Sequence, residues 1–501
     1  MRHGRLSWIT GTVLLALLAM PFKGLAQEQA QAHAKKHTRY TLVDIGTLGG
    51  PNSEVNGGSV IANKSGAVVG GADTSVYDPG CDCYISHAFE WRKGVLTDLG
   101  TLPGGNNSFP NAINSQGAVV GTSENGLIDP ITGFPEVVAT IWEHGKIVDL
   151  GTLGGPFSIP NAINDRGQAA GGATNTVADP DGFALLLLGF GAIPGNQWHG
   201  ALWHDGSIQD LGTLADGLTS FAPFVNERGQ VAGFSFVDTT PTVWGFPTVH
   251  PFFWENGQMV DLGTLGGVLV MPNGLNNKGQ VAGFSTLTGE LTAHAFLWDQ
   301  GAIQDLGTLG GTFSEADALD DRGEIVGKSF VAGDQGWHAF LWKHGVMNDL
   351  GTLPGDTFSQ ALSVNAEGQI VGQSFVPNDS NVFRACLWEN GEPPVDLDTF
   401  VPPGSDLHLH EPLFISDRGE IVGKALLPNG DAHAFVLIPK DDDGEDEGGA
   451  PTATQHAMTP AAQNTTSAAD AAMTPEKAAT LRARLTPRYR GFGPRLPKEV
   501  Q

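Results

Sequence analysis

Three short patterns recur eight times along this chain, and a repeat of this kind limits the fold more than any other feature. The first, Asp-Leu-Gly-Thr-Leu, begins at Asp98, Asp149, Asp210, Asp261, Asp305 and Asp349; Asp44 carries it with Ile45, and Asp396 with a degenerate Asp-Leu-Asp-Thr-Phe. The second, Asn-x-x-Gly, begins at Asn63, Asn114, Asn164, Asn226, Asn276 and Asn365, with Asp320 and Ser416 in the other two copies. The third is His-Ala-Phe-x-Trp, clearest at His87, His294 and His338. Successive aspartates of the first pattern are 54, 51, 61, 51, 44, 44 and 47 residues apart. Units of this length with several short apolar runs each match four-stranded propeller blades.

Within a unit, strand a precedes Asn-x-x-Gly, strand b follows it, strand c is His-Ala-Phe-x-Trp, and strand d leads into Asp-Leu-Gly-Thr-Leu. Asn with Gly three residues on reads as a type I turn closed by a glycine at positive φ, so a folds back on b. Trp-x-x-Gly reads as the same kind of hairpin between c and d. These turns and the blade links explain why 69 of 501 residues are glycine. The links from d to the next a are long enough to cross three interstrand gaps of about 4.8 Å, which places d outermost and a innermost. The fold class expected is all-β: a β-propeller of eight four-stranded blades, in which the N-terminal d strand (Tyr40 to Leu48) completes the last blade and removes the free edge. The alternatives are a seven-bladed propeller or a parallel β-helix.

The ends differ from this body. Residues 1–26 read as a signal peptide: Arg2 and Arg5, an apolar run from Trp8 to Met20, then Gly24 and Ala26. That run is too short for a spanning helix of about 20 residues, and no later stretch is long enough. Residues 27–39 form a linker, 40–440 the repeat body, and 441–501 a tail with no packed core, acidic at first, then Ala/Pro/Thr-rich, with a basic end. The net charge is -27, and the body owns it: residues 40–440 hold 14 basic and 44 acidic residues. Such a surface repels nucleic acid. The expectation is a secreted, periplasmic or cell-surface monomer.

The repeated motifs, over about residues 40–437, resemble the bacterial extracellular HAF family, named for its His-Ala-Phe signature. The resemblance implies an exported protein of propeller-like repeats and carries no catalytic residues with it. Arg384 and Val138 stand at the histidine position in two copies, which departs from the pattern.

Against that background a few residues carry candidate chemistry. The histidines His87, His199, His250, His294, His338 and His433 sit on separate blades, so the reading is a hydrogen bond inside each blade to the aspartate or threonine of its own Asp-Leu-Gly-Thr-Leu. The tryptophans, one in each blade except the last, read as core between blades. Asp406, His408 and His410 have metal-ligand spacing and share a face if extended, which makes a divalent metal site there the candidate; no other cofactor is expected. The b to c links vary most. The longest carries Asp179 and Asp181 followed by an apolar run from Phe183 to Phe190, which is either a partner surface or a loop buried against the channel mouth. Cys81 and Cys83 are two apart, where a bridge would be strained, and Cys386 reads as a small buried hydrophobe.

The functional expectation is a binding scaffold that presents its loop-rich face to a glycan or to an extracellular or envelope protein. The alternative is a carbohydrate- or peptide-active enzyme. That would need off-pattern acids, Asp179, Asp181, Asp406 and Glu411, converging at one channel mouth at the separation of glycosidase carboxylates.

Overall fold

The strands form eight four-stranded antiparallel blades in the order a-b-c-d, of which blades 4 to 6 are also linked by the single parallel bridges Val249 to Leu269 and Ala293 to Phe313. The computed structural model describes residues 38–57, 60–79, 82–187, 193–376 and 383–440; the expected signal peptide and tail lie outside the described residues. Blade 1 comprises Gly49–Glu54, Ala67–Asp78, Cys83–Arg92 and Val95–Asp98. Blades 2 to 7 follow the same plan. Blade 8 takes only three strands from its own repeat (His408–Ile415, Ile421–Leu426, Ala432–Pro439). Its fourth, outermost strand is β1 (Tyr40–Asp44), paired antiparallel from Tyr40 opposite Pro439 to Asp44 opposite Phe435. The ring therefore closes as expected. Successive a strands lie against one another, which sets them innermost.

The two hairpins use different turns. In the Asn-x-x-Gly hairpin the glycine alone is left-handed, as at Gly229 (φ +77°), and closes a type I turn with Gly229 N–H donating to the Asn226 carbonyl. The c to d hairpin corrects the expectation of an identical turn. Both central residues are at positive φ, for example Asn256 (+52°) and Gly257 (+81°), with Glu255 paired to Gln258. This is the type I′ geometry whose twist matches two right-handed strands with a two-residue loop.

Blades are joined by hydrogen bonds that the repeat carries within itself. The side-chain N–H of Asn63 donates to the backbone carbonyl of Asn114, Asn114 to Asn164, Asn164 to Asn226, Asn226 to Asn276, and Asn276 to Asp320, at 2.9–3.2 Å; Asn365 donates to Ser416 in the same way. Asp320 has no such donor, and in its place Arg322 reaches the Asn365 carbonyl at 3.4 Å. A second latch runs through serine: Ala88 N–H donates to Ser108 Oγ on the next blade, and that hydroxyl donates to the Gly100 carbonyl. Where Pro251 removes the N–H, Val270 stands in the serine's place, so neither group is left unpaired. The seven strand-c tryptophans are all buried between blades.

Candidate functional site

The strand-c histidines are absorbed by the architecture. Nδ1 of His87, His199, His250, His294, His338 and His433 lies 2.8–3.0 Å from the carboxylate of Asp98, Asp210, Asp261, Asp305, Asp349 and Asp44, respectively. The last pair joins residues 389 apart and fastens the ring closure. Each aspartate also accepts from the backbone N–H two residues on, as Asp210 does from Gly212 at 2.8 Å.

Burial alone would raise the carboxyls of Asp210, Asp261 and Asp349. The histidine and the glycine N–H more than offset it, and all three are held below the ordinary carboxylate value. A depressed carboxyl contributes stability that is complete above the unfolded value of about 3.9 and is lost as pH falls through the lower folded value. His250→Ala is therefore expected to lower the urea midpoint at pH 7 and to differ less from wild type at pH 3. An equal gap at both pH values would show that the pair is not the cause.

The metal candidates are not brought together. His408 starts strand a of blade 8, and both its ring nitrogens are engaged: Nδ1 with the Asp398 carboxylate and Nε2 at 3.1 Å from the Phe383 carbonyl. A bulge between Leu409 and Glu411 interrupts the alternation on which the shared face depended. His410 instead packs edge-on against Phe383 (5.0 Å between ring centres), and burial, with the Lys424 ammonium, pushes it down to about 4. Asp406 is exposed. Among the described residues no group of three His, Cys, Asp or Glu is placed to hold a metal ion.

Nor do the off-pattern acids converge. Asp179, buried at the end of strand b of blade 3, accepts from Gly182 N–H at 3.1 Å and so fixes the turn into helix α1 (Phe183–Leu187). Asp181 is exposed beside it. Glu411 lies on blade 8, three steps around the ring, and accepts from Gln373 Nε2 at 2.8 Å; burial raises its carboxyl.

The described part of the apolar run, Phe183–Leu187, packs inward, which corrects the reading of Phe183 as a partner contact. Ala184 and Leu187 are buried, and Phe183 and Leu186 pack on a cluster with Ile159, Trp198, Phe221, Trp244 and Phe246. The reason is the long b to c loop of blade 4, which brings Trp244 and Phe246 over the same hollow. Phe190 lies outside the described residues.

What the loop-rich face does expose was missed in the sequence. The b to c links of blades 1, 2 and 3 are continued strand: Asp78 pairs with Cys83, Ile128 with Pro135, and Asp179 with Gly195. These tall hairpins carry Val76, Tyr77, Leu127, Ile128, Ile131 and Val177, of which Leu127 and Ile128 are each 59% exposed and Ile131 57%. Cys83 is disulfide-bonded, contrary to the expectation of no bridge; Cys81 lies outside the described residues, and Cys386 is free and buried. Of the 14 lysines and arginines between 40 and 440, ten stand at a to b or c to d turns and Lys440 at the same end of the last strand c, on the opposite face; Lys328, Arg384 and Lys424 stand within strands. Lys328 is paired with Glu315 at 3.0 Å and Arg384 with Asp356 at 2.8 Å. The loop face is acidic and dotted with exposed apolar side chains. A clue was legible: from Val119 to Glu143 the chain has four acids and not one Lys or Arg.

Fold and surface together define an eight-bladed β-propeller whose repeat chemistry is spent on holding blades together. Among solved structures, the beta-propeller domain of the Trilobed protease from Pyrococcus furiosus is similar over 72% of this chain and 97% of its own, at 9% identity and a TM-score of 0.39. YCF48 bound to D1 peptide is similar over 82% and 99%, at 11% identity and 0.37. TolB from Acinetobacter baumannii covers 49% and 60%, at 12% identity and 0.29. No family model and no curated protein matches the chain. At such identities and TM-scores the likeness transfers nothing to this chain, and the propeller rests on its own strand pairing. No helix among the described residues is long and apolar enough to cross a membrane.

Proposed function

We propose that this chain is an exported, non-enzymatic binding propeller of the HAF type, and that the hairpins of blades 1 to 3 dock an extracellular or envelope protein with a basic, partly apolar surface. One observation carries the reading: apolar side chains stand in the open on three adjacent hairpins, on the face from which almost all cations are withdrawn. Fifteen large apolar residues are exposed among the described residues, and six of them stand on these three adjacent hairpins; single exposed apolar residues need no explanation, but such a cluster marks an interaction surface. Acidic surroundings speed encounter with a basic partner and make it sensitive to salt.

The test is co-sedimentation of the mature chain with isolated cell envelopes at low and high salt, for wild type and for Leu127→Ser with Ile131→Ser. Binding is expected to fall with salt and to drop about tenfold in the variant, the loss of roughly 1.4 kcal/mol. Binding untouched by the variant, or release of a sugar or peptide product, overturns the proposal.

A further inference from the structure

The repeat supplies its own control for a second site, on the opposite face. The residue after the turn glycine opens strand b and faces the residue after the strand-c tryptophan. In blade 4 this pair is Gln230 with Glu255 (Nε2 to Oε1, 2.8 Å), in blade 5 Gln280 with Asp299 (3.0 Å), and in blade 7 Gln369 with Glu389 (3.0 Å). Blade 6 reverses the charges with Glu324 and Lys343. Blade 3 keeps the glutamine, Gln168, but sets His204 opposite it, where the other glutamines find a carboxylate.

At that place the structure has a cavity of about 310 Å³ between blades 3 and 4, lined by Gln168, His204 and Gln209 on one side and by Arg228, Trp254 and Glu255 on the other, with Arg166 at its rim. The Gln168 carbonyl oxygen accepts from Asn164 at 2.9 Å, which turns its NH2 outward. Arg228 is spent on the Asn277 carbonyl. Arg166, one of the few cations of a strongly acidic body, lies near enough to Glu227 to offset part of the rise that burial gives its carboxyl, but makes no close ion pair among the described residues. The volume is at the lower end of the range of small-molecule sites. Gln209 and Ser207 offer neutral hydrogen-bonding groups, Glu255 an acceptor, and Trp254 and Leu202 an apolar wall.

We infer that this pocket between blades 3 and 4 binds a carboxylate-bearing sugar, a hexuronate unit. Its carboxylate lies beside His204, between the Gln168 amide and the Arg166 guanidinium, and meets the glutamine NH2 as Glu255 meets that of Gln230. Its hydroxyls face Gln209, Ser207 and Glu255. An Arg fork is suited to a carboxylate, and charge-assisted bonds are the strong ones. The net charge of the body does not prevent this, because at physiological ionic strength charges more than about 8 Å away are largely screened.

Calorimetric titration of the full mature chain with glucuronate, and with glucose for comparison, tests the inference. Saturable glucuronate binding is expected, with glucose at least tenfold weaker. Arg166→Ala should weaken glucuronate at least tenfold. His204→Glu, which restores the carboxylate of blades 4, 5 and 7, should abolish binding while leaving the urea midpoint at or above that of wild type. Absence of saturable glucuronate binding by wild type, equal binding of glucose, or unchanged binding by His204→Glu overturns it. Leu127→Ser with Ile131→Ser, on the other face, should bind glucuronate like wild type, so the two sites fail or stand separately.

Discussion

Asn276→Asp is expected to lower the stability of the propeller by about 3 kcal/mol, and adding Lys278→Arg is expected to return roughly half of it. Asn276 is buried and uses both ends of its amide. Its oxygen accepts the N–H groups of Lys278 and Gln280 at 3.0 Å, and its nitrogen donates to Gln280 Oε1 at 2.7 Å and to the Asp320 carbonyl on the next blade at 2.9 Å. Aspartate keeps the turn and loses both donations, leaving two acceptors facing a carboxylate in a partly dry site; each lost partner costs about 1–3 kcal/mol. Blade 6 shows the compensation. There Asp320 is bridged by Arg322 (Nε to Oδ2, 2.7 Å), whose other nitrogen spans to Asn365. Urea unfolding of the two single variants and the double variant measures this: a coupling of about 1–2 kcal/mol is expected between contacting residues. Additive effects would show that arginine does not substitute for the missing amide.

A proline at position 43 should have the other large effect. β1 is the only strand of blade 8 that comes from the opposite end of the body, and it is held by backbone pairing, by Tyr40 against Phe400 (5.2 Å between ring centres) and by Asp44 with His433. Arg39 accepts from Lys440, and Ile45 donates to Ala434. Alternation along an antiparallel pair therefore places Val43 N–H in a bond to Val436. Val43→Pro removes that donor and sets a ring against the ladder, at a cost of about 3 kcal/mol or more. It also bares the edge of Ala432–Pro439, a template for pairing between molecules. The expected result is a lower urea midpoint together with concentration-dependent oligomers in light scattering. A variant that stays monomeric with the wild-type midpoint would mean that β1 does not close the ring.

The legible and illegible parts of the molecule differ in kind. The blade count, the strand order and the closing role of Tyr40–Asp44 could be read because each turn has a local signature, repeated until chance is excluded. The histidine-aspartate pairs could be read for the same reason: a residue present in six blades of eight cannot be converging on one ion. The asparagine ring was half legible. The turn role of Asn explains Asn, Asp or Ser equally, and only the preference for Asn over the other two hinted that its NH2 had a task across the blade boundary.

The functional surfaces were least legible, because they depend on what lies beside a segment in space. Phe183 and Leu187 have the composition of a docking surface, and they became core because Trp244 and Phe246 arrive from another blade. Leu127, Ile128 and Ile131 carry no signature in the sequence, and they are exposed because their hairpin is continued strand beyond the blade. His408 and His410 alternate on paper, and one bulge separates them.

The sequence by itself therefore determined the architecture: a short-range code of turn glycines, strand periods and paired motif residues acts within about 50 residues and is copied eight times. Only the tertiary structure decided where that regularity leaves something unpaired. The bare hairpins of blades 1 to 3, the withdrawal of cations to the turn face, and the glutamine of blade 3 without its carboxylate are all differences between blades. A difference of this kind acquires chemical meaning only when the ring sets each blade against its neighbour and water is excluded from some contacts and admitted to others.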